Sequence, residues 1–147
     1  MRTRLQICFA VLAMVPGLAL ADDGCPTAVK AAIAKAMPKS TIAKCKAEKE
    51  HGREQWVVKL TRADGVAVEA DVATDGTILQ LEEPVAIDKL PAAVAKAFGA
   101  KYPKAKPTRA EKQTPSTGPV SFEIAFEVDG KKKEATFTEA GKFIEEE

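Results

Sequence analysis

Residues 122–130 read Phe-Glu-Ile-Ala-Phe-Glu-Val-Asp-Gly and contain the clearest structural pattern in the chain. Phe122, Ile124 and Phe126 alternate with small or charged residues, and a period of two is typical of a β-strand with one buried face. The Asp129-Gly130 pair favours a tight hairpin, because both residue types tolerate the positive φ that such turns require. The stretch therefore predicts an antiparallel strand that enters a hairpin.

A second copy of this arrangement lies earlier in the chain, so the sequence contains an internal repeat. A shift of 65 residues places Pro26 on Pro91, Pro38 on Pro103, Asp64-Gly65 on Asp129-Gly130 and Gly76 on Gly141. Ordered self-similarity of this kind predicts a repeated supersecondary unit.

Each copy begins with an apolar residue at every fourth position, which predicts a helix with one apolar face. The two stripes are Cys25, Val29, Ile33, Met37 and Leu90, Val94, Phe98, Tyr102. Alternating stretches follow each helix. We therefore predict an α+β fold of two tandem helix-plus-four-strand repeats, with the helices packed on one face of antiparallel sheet. The predicted repeats cover residues 22–83 and 84–147 and pack as one unit, with residues 82–89 as the linker.

The first 21 residues have the layout of a secretory signal peptide. Arg2 and Arg4 precede a largely apolar run, and Ala19-Leu-Ala21 is a small-x-small cleavage site. A membrane anchor is the alternative, but the run is shorter than the ~20 residues of a span and contains Pro16 and Gly17. We expect a periplasmic or secreted protein with no membrane span after cleavage.

The charge balance excludes two classes of partner. The chain has 22 Lys and Arg against 21 Asp and Glu, and residues 1–21 contain two of the basic residues and no acidic one. The mature chain is therefore almost neutral. Such a surface gives no electrostatic basis for binding nucleic acid or anionic membrane.

Two cysteines remain after cleavage, Cys25 and Cys45, and an oxidising compartment favours one disulfide between them. A helix over residues 26–37 rises ~18 Å, and an extended return over residues 39–45 covers a similar distance, so the two cysteines come level. A pair of buried free thiols is the alternative.

Catalytic and metal-binding constellations are missing from the sequence. The single histidine, His51, is predicted to lie in a turn, and no nucleophile elbow, phosphate loop or dinucleotide motif occurs. The acidic residues lack the spacing of a calcium loop. We expect no enzyme activity, no cofactor and no bound metal.

Several short motifs resemble a known family. They are Tyr102-Pro103, Phe122-Glu-Ile-Ala-Phe and Val128-Asp-Gly in the second half, and Gln55-Trp-Val-Val-Lys-Leu with Asp64-Gly65 in the first. The pattern resembles the PepSY and PepSY-like domains, the latter being similar to β-lactamase-inhibitor protein. Ala140 departs from the aspartate of the family pattern. The resemblance implies helices on one sheet face, an open opposite face, and a role in binding or inhibiting other proteins such as peptidases.

The expected binding surface is this open face. Its predicted outward positions are Lys59, Glu69, Asp71, Glu123, Glu127 and Thr136. They include no aromatic residue, unlike the face with which the β-lactamase inhibitor grips its enzyme. We therefore expect a non-catalytic exported module that engages an unknown envelope protein, a peptidase being one candidate, as an inhibitor or regulator. The alternative is a periplasmic small-molecule or metal carrier with a cavity between helix and sheet.

Overall fold

The computed structural model describes residues 24–50 and 52–147. The predicted signal peptide, residues 1–21, and the histidine at position 51 lie outside the described residues. Two short helices, α1 (Thr27–Ala36) and α2 (Ala92–Lys101), accompany a 3-10 turn at Ile87–Lys89. The strands are β1 (Thr41–Glu50), β2 (Arg53–Thr61), β3 (Ala67–Ala73), β4 (Ile78–Pro84), β5 (Lys106–Pro115), β6 (Ser121–Val128), β7 (Lys131–Thr138) and β8 (Phe143–Glu146).

The eight strands form one antiparallel sheet in which the spatial order is the chain order, β1 to β8. Strands β4 and β5 pair along five residue pairs, from Gln80↔Pro115 to Pro84↔Glu111. The predicted fold of two helix-plus-four-strand repeats is therefore wrong. Each proposed unit would leave a row of unpaired backbone groups at its edge, and the pairing of β4 with β5 satisfies both rows within a single sheet. The predicted linker at residues 82–89 is also wrong at its start, because β4 continues to Pro84.

Both helices lie against the same face of the sheet. Helix α1 buries Val29 and Ile33 in a cluster with residues of β2 and β3, such as Val58 and Val72. Helix α2 buries Val94 and Phe98 in a second cluster over β5 to β7. The apolar stripes predicted from the four-residue spacing thus supply the inner sides of the helices.

Aromatic side chains dominate the second cluster. The Phe98 ring meets Phe126 edge-on at 5.2 Å between centroids and Phe137 at 6.3 Å. Tyr102 lies 4.5 Å from Phe126. Such pairs contribute about 0.5–1.5 kcal/mol each beyond their burial. These contacts hold α2 against the sheet. Because both helices lie on this face, no described helix covers the opposite face.

Two turns of the sheet approach the helices closely through glycine. Gly76, between β3 and β4, has φ +90°, and a Cβ there would lie 2.9 Å from the Ala28 carbonyl oxygen of α1. Gly141, between β7 and β8, has φ +80°, and its Cβ would lie 2.5 Å from the Ala93 carbonyl oxygen of α2. The absence of a side chain is what lets each turn dock on its helix.

A disulfide joins Cys25, just before α1, to Cys45 in β1, with the Cα atoms 5.3 Å apart. None of the side chains of strand β1 is buried, and only Ile42 and Cys45 are half-buried. The bond therefore ties an exposed edge strand to the helix layer.

Replacing Cys45 with serine is expected to lower the free energy of unfolding by ~3 kcal/mol, because the disulfide closes a loop with a sequence separation of 20. Urea unfolding of the variant and the wild type under non-reducing conditions measures the difference. The wild type in excess dithiothreitol is the control and should match the variant. Equal midpoints for oxidised wild type and variant would contradict the prediction.

Candidate binding face

The sheet face opposite the helices, which we call the open face, receives every second residue of each strand. In β6, Phe122, Ile124 and Phe126 point to the helices, so Glu123 and Glu127 lie on the open face. Strand alternation places all six predicted residues there: Lys59, Glu69, Asp71, Glu123, Glu127 and Thr136. Their role in binding stays a prediction.

The structure brings some of these six residues together and separates others. Lys59 lies opposite Glu69 and forms an ion pair with it at 3.0 Å. Glu123 lies opposite Thr136, which is almost completely buried. Glu127 lies four residues along β6 from Glu123, opposite Lys132 and nearer the end of the strand. The side chains are thus closely packed at the centre of the open face and farther apart toward its margin.

Three residues that the sequence did not identify complete this centre. Glu82 of β4 lies between Glu69 of β3 and Gln113 of β5, and Glu111 of β5 lies opposite Glu123. The signal for them was weak. Glu82 lies in the predicted linker, and the alternation of β5 is mostly between polar residues. Only the pairing of β4 with β5 makes these residues central.

We call Asp71, Glu82, Glu111 and Glu123 the central carboxylates. Burial is the main reason why the pKa of each is raised, and neighbouring carboxylates add to the effect. The pKa reaches about 7 for Asp71 and about 7 for Glu123. Removing a charged carboxylate from water disfavours its ionised form. At neutral pH this face therefore holds a partly ionised, poorly hydrated acidic patch.

Hydrogen-bond donors near the central carboxylates compensate only part of their negative charge. Arg109 lies 3.4 Å from Glu111 and 3.6 Å from Glu123, and its guanidinium also bonds Glu134 at 3.0 Å. Glu82 accepts hydrogen bonds from two neutral amides, Gln80 at 2.9 Å and Gln113 at 3.3 Å. One arginine thus serves three carboxylates.

Asp71 has the most unusual environment of the four. Its relative exposure is 8%, and within residues 24–50 and 52–147 its carboxylate has no hydrogen bond and no ion pair. The carboxylate oxygens keep some contact with solvent, because Thr114 Oγ1 is the one fully enclosed side-chain oxygen or nitrogen without a partner in the described residues. A carboxylate with so little access to water normally has protein hydrogen-bond partners as well. The side chain lies in the wall of a cleft of about 310 Å³.

The cleft shows that the open face is concave. Its lining includes Glu50 of β1, Asp71 of β3 and Gln113 of β5, and also Glu145 of the last strand, β8. First and last strands can line one cleft only if the sheet curls toward its open side. The β5–β6 loop, through Ser116 and Thr117, closes one end.

The carrier alternative would need a cavity between the helices and the sheet. In the described part of the chain, the inner residues of both helices pack directly on the strands, with Val29 and Val94 fully buried. Among the same residues, no group of three or more His, Cys, Asp or Glu side chains is arranged to hold a metal ion. No described helix is long and apolar enough to cross a membrane.

Several solved structures from Bacteroides resemble this chain over most of its length. A BLIP-like (β-lactamase-inhibitor-protein-like) protein from Bacteroides fragilis is 26% identical, with a TM-score of 0.63, over 83% of this chain and 84% of that one. A DUF2874 family protein from Bacteroides uniformis is 16% identical, with a TM-score of 0.69, over 84% and 88% of the two chains. A candidate periplasmic protein from Bacteroides eggerthii is 18% identical, with a TM-score of 0.68, over 84% and 88%.

The sequence itself matches no protein-family model and no curated protein. The structural likeness nevertheless extends over more than four fifths of each chain. The chain therefore has a BLIP-like fold, in which an antiparallel sheet carries short helices on one face.

Proposed function

We propose that this chain is a non-catalytic, exported binding module that engages another protein of the cell envelope through its open face. The observation that carries the proposal is the concave, acidic centre of that face, where Asp71 is buried without a partner in the described residues. Charged groups of opposite sign commonly face each other across protein interfaces, so an acidic patch that the chain compensates only in part fits a basic surface on a partner.

The structural neighbours support this proposal. One is described as BLIP-like and another as a candidate periplasmic protein, which fits a binding role in the periplasm. The Cys25–Cys45 disulfide and the signal-like segment at residues 1–21 fit export to an oxidising compartment. A relation to PepSY domains and a role as inhibitor or regulator of a peptidase are part of the proposal, resting on the sequence motifs.

Charge reversal on the open face tests the binding role. The double variant Glu69→Lys, Glu145→Lys places two positive charges on the open face, one in β3 and one in β8. We expect it to recover the partner from a periplasmic extract roughly tenfold less efficiently than the wild type, because complementary charges become like charges. Quantitative mass spectrometry of the captured proteins is the measurement.

The matched control is Asp88→Lys with Glu139→Lys, which makes the same change in net charge. Asp88 lies in the 3-10 turn before α2, and Glu139 lies in the exposed β7–β8 turn. This control should retain the partner. Equal recovery by both double variants would contradict binding through the open face. A small-molecule adduct in native mass spectrometry, with no captured protein, would instead support the carrier alternative.

A further inference from the structure

We propose that the cleft over Asp71 is the receptor for a single arginine or lysine side chain that projects from the partner protein. This inference rests on the proposed function in one respect, that the cation is supplied by a protein. It adds the chemistry of the contact and its position in the open face.

The lining of the cleft carries acceptors that suit a cation. The carboxylates of Glu50, Asp71 and Glu145 line the cleft together with the amide side chains of Gln55, Gln80 and Gln113. The Gln55 amide nitrogen donates to Glu50 at 2.6 Å, and the Gln113 amide oxygen accepts from the Ser121 hydroxyl at 2.9 Å and has a second lone pair. An amide oxygen accepts N–H donors as a carboxylate does. One positive side chain, Arg53, lines the cleft at the β1–β2 hairpin, but it forms no ion pair with Asp71 within the described residues. Among the described residues that line the cleft, the acidic side chains outnumber this one positive side chain.

The size of the cleft favours one side chain over a whole structural element. Its volume of about 310 Å³ is at the lower end of the range for small-ligand sites, ~300–1,000 Å³. A guanidinium group presents several N–H donors in one plane and can bond a carboxylate and flanking amide oxygens together. Arginine is also among the residues that most often anchor protein interfaces.

A bare metal ion is the less suitable occupant. Divalent ions need several oxygen or nitrogen ligands at short distances, and the described residues contain no group of three or more acidic, histidine or cysteine side chains so arranged. A side-chain cation needs only hydrogen-bond distances to one carboxylate and a few amides. Asp71 supplies the carboxylate, and Gln55 and Gln113 are placed in the same lining.

The first measurement uses N-acetyl-arginine amide as the probe, followed by NMR of the side-chain amides of Gln55, Gln80 and Gln113. We expect their resonances to shift on titration, whereas N-acetyl-citrulline amide, of similar shape but uncharged, should leave them in place. The Asp71→Asn variant should bind the arginine probe at least roughly tenfold more weakly, because one charged partner is lost. The Asp71→Glu variant keeps the charge and should retain part of the affinity.

The inference would be overturned by the absence of any shift in the cleft, by the same shift with the citrulline probe, or by unchanged binding of the arginine probe to Asp71→Asn. Spermidine binding far more tightly than the arginine probe would overturn the assignment to a protein side chain. If wild type and Asp71→Asn recover an envelope partner equally well, the cleft over Asp71 is not the contact for that partner. The inference would then be wrong, and the proposed function would remain in place. Cleft binding of the arginine probe without any captured protein would support the cation site and count against the proposed function.

Discussion

Replacing Gly141 with alanine is expected to reduce the free energy of unfolding by roughly 2–5 kcal/mol. The added Cβ would lie 2.5 Å from the Ala93 carbonyl oxygen and 2.9 Å from its carbonyl carbon, so α2 or the β7–β8 turn must move. Forced overpacking costs ~1–3 kcal/mol. The positive φ of +80° adds ~1–2 kcal/mol for a residue with a side chain. Urea unfolding followed by circular dichroism measures the loss.

Gly130→Ala is the matched control for this variant. Gly130 also lies in a hairpin turn with a positive φ, +71°, but a Cβ there would meet no atom within 4 Å. Only the conformational cost of ~1–2 kcal/mol applies to it. Equal destabilisation by the two substitutions would show that the contact between the turn and α2 is unimportant.

Replacing Asp71 with asparagine is expected to stabilise the protein at alkaline pH. Burial raises the pKa of Asp71 from 3.8 to about 7 in the folded chain. The folded state therefore binds a proton that the unfolded state has already lost, and stability falls as pH rises from ~4 to ~7. At 1.36 kcal/mol per pH unit, ionisation of Asp71 costs roughly 4 kcal/mol at pH 8, and asparagine avoids that cost.

The sign of this effect makes it easy to test. The difference in unfolding free energy between Asp71→Asn and wild type should be below ~1 kcal/mol at pH 4 and largest near pH 8. Asp88→Asn, at a side chain that is 77% exposed, is the control and should show no such trend. A variant that is less stable than wild type at pH 8 would mean that the Asp71 carboxylate has a stabilising partner in the folded state.

Stability and binding can be measured separately for the Asp71→Asn variant. If Asp71 serves to bind a partner, the variant should be more stable than the wild type and should bind the partner more weakly. Sites that hold charge for a ligand commonly trade stability for function in this way. A purely structural aspartate would lose stability and leave binding unchanged.

The local elements were largely predictable from the sequence because they depend on local periodicity. Strands expected at residues 42–50 and 106–113 are found at Thr41–Glu50 and Lys106–Pro115. The helix expected over residues 26–37 is found at Thr27–Ala36. Prolines at their ends and apolar residues at four-residue spacing are strong signals.

The assembly of these elements could not be predicted in the same way. The alternation within β4 and β5 indicates which side chains of a strand share a face. It does not indicate which strands pair with each other. Without that pairing, Glu82 was assigned to a linker, and Glu111 and Gln113 were missed. The burial of Asp71 depends on the curl of the whole sheet, for which its own strand contains no signal.

Because the strands lie in the sheet in chain order, most of the sheet can form from local hairpins. With one exception, each strand pairs with a neighbour that is only a hairpin away, so those pairings need little loop closure. A chain emerging N-terminus first can add strands to a growing edge, with Cys25 and Cys45 available to each other from the start. The exception is β4 with β5, which must wait for residues 85–105, including α2. That single late closure is the expected rate-limiting step of folding.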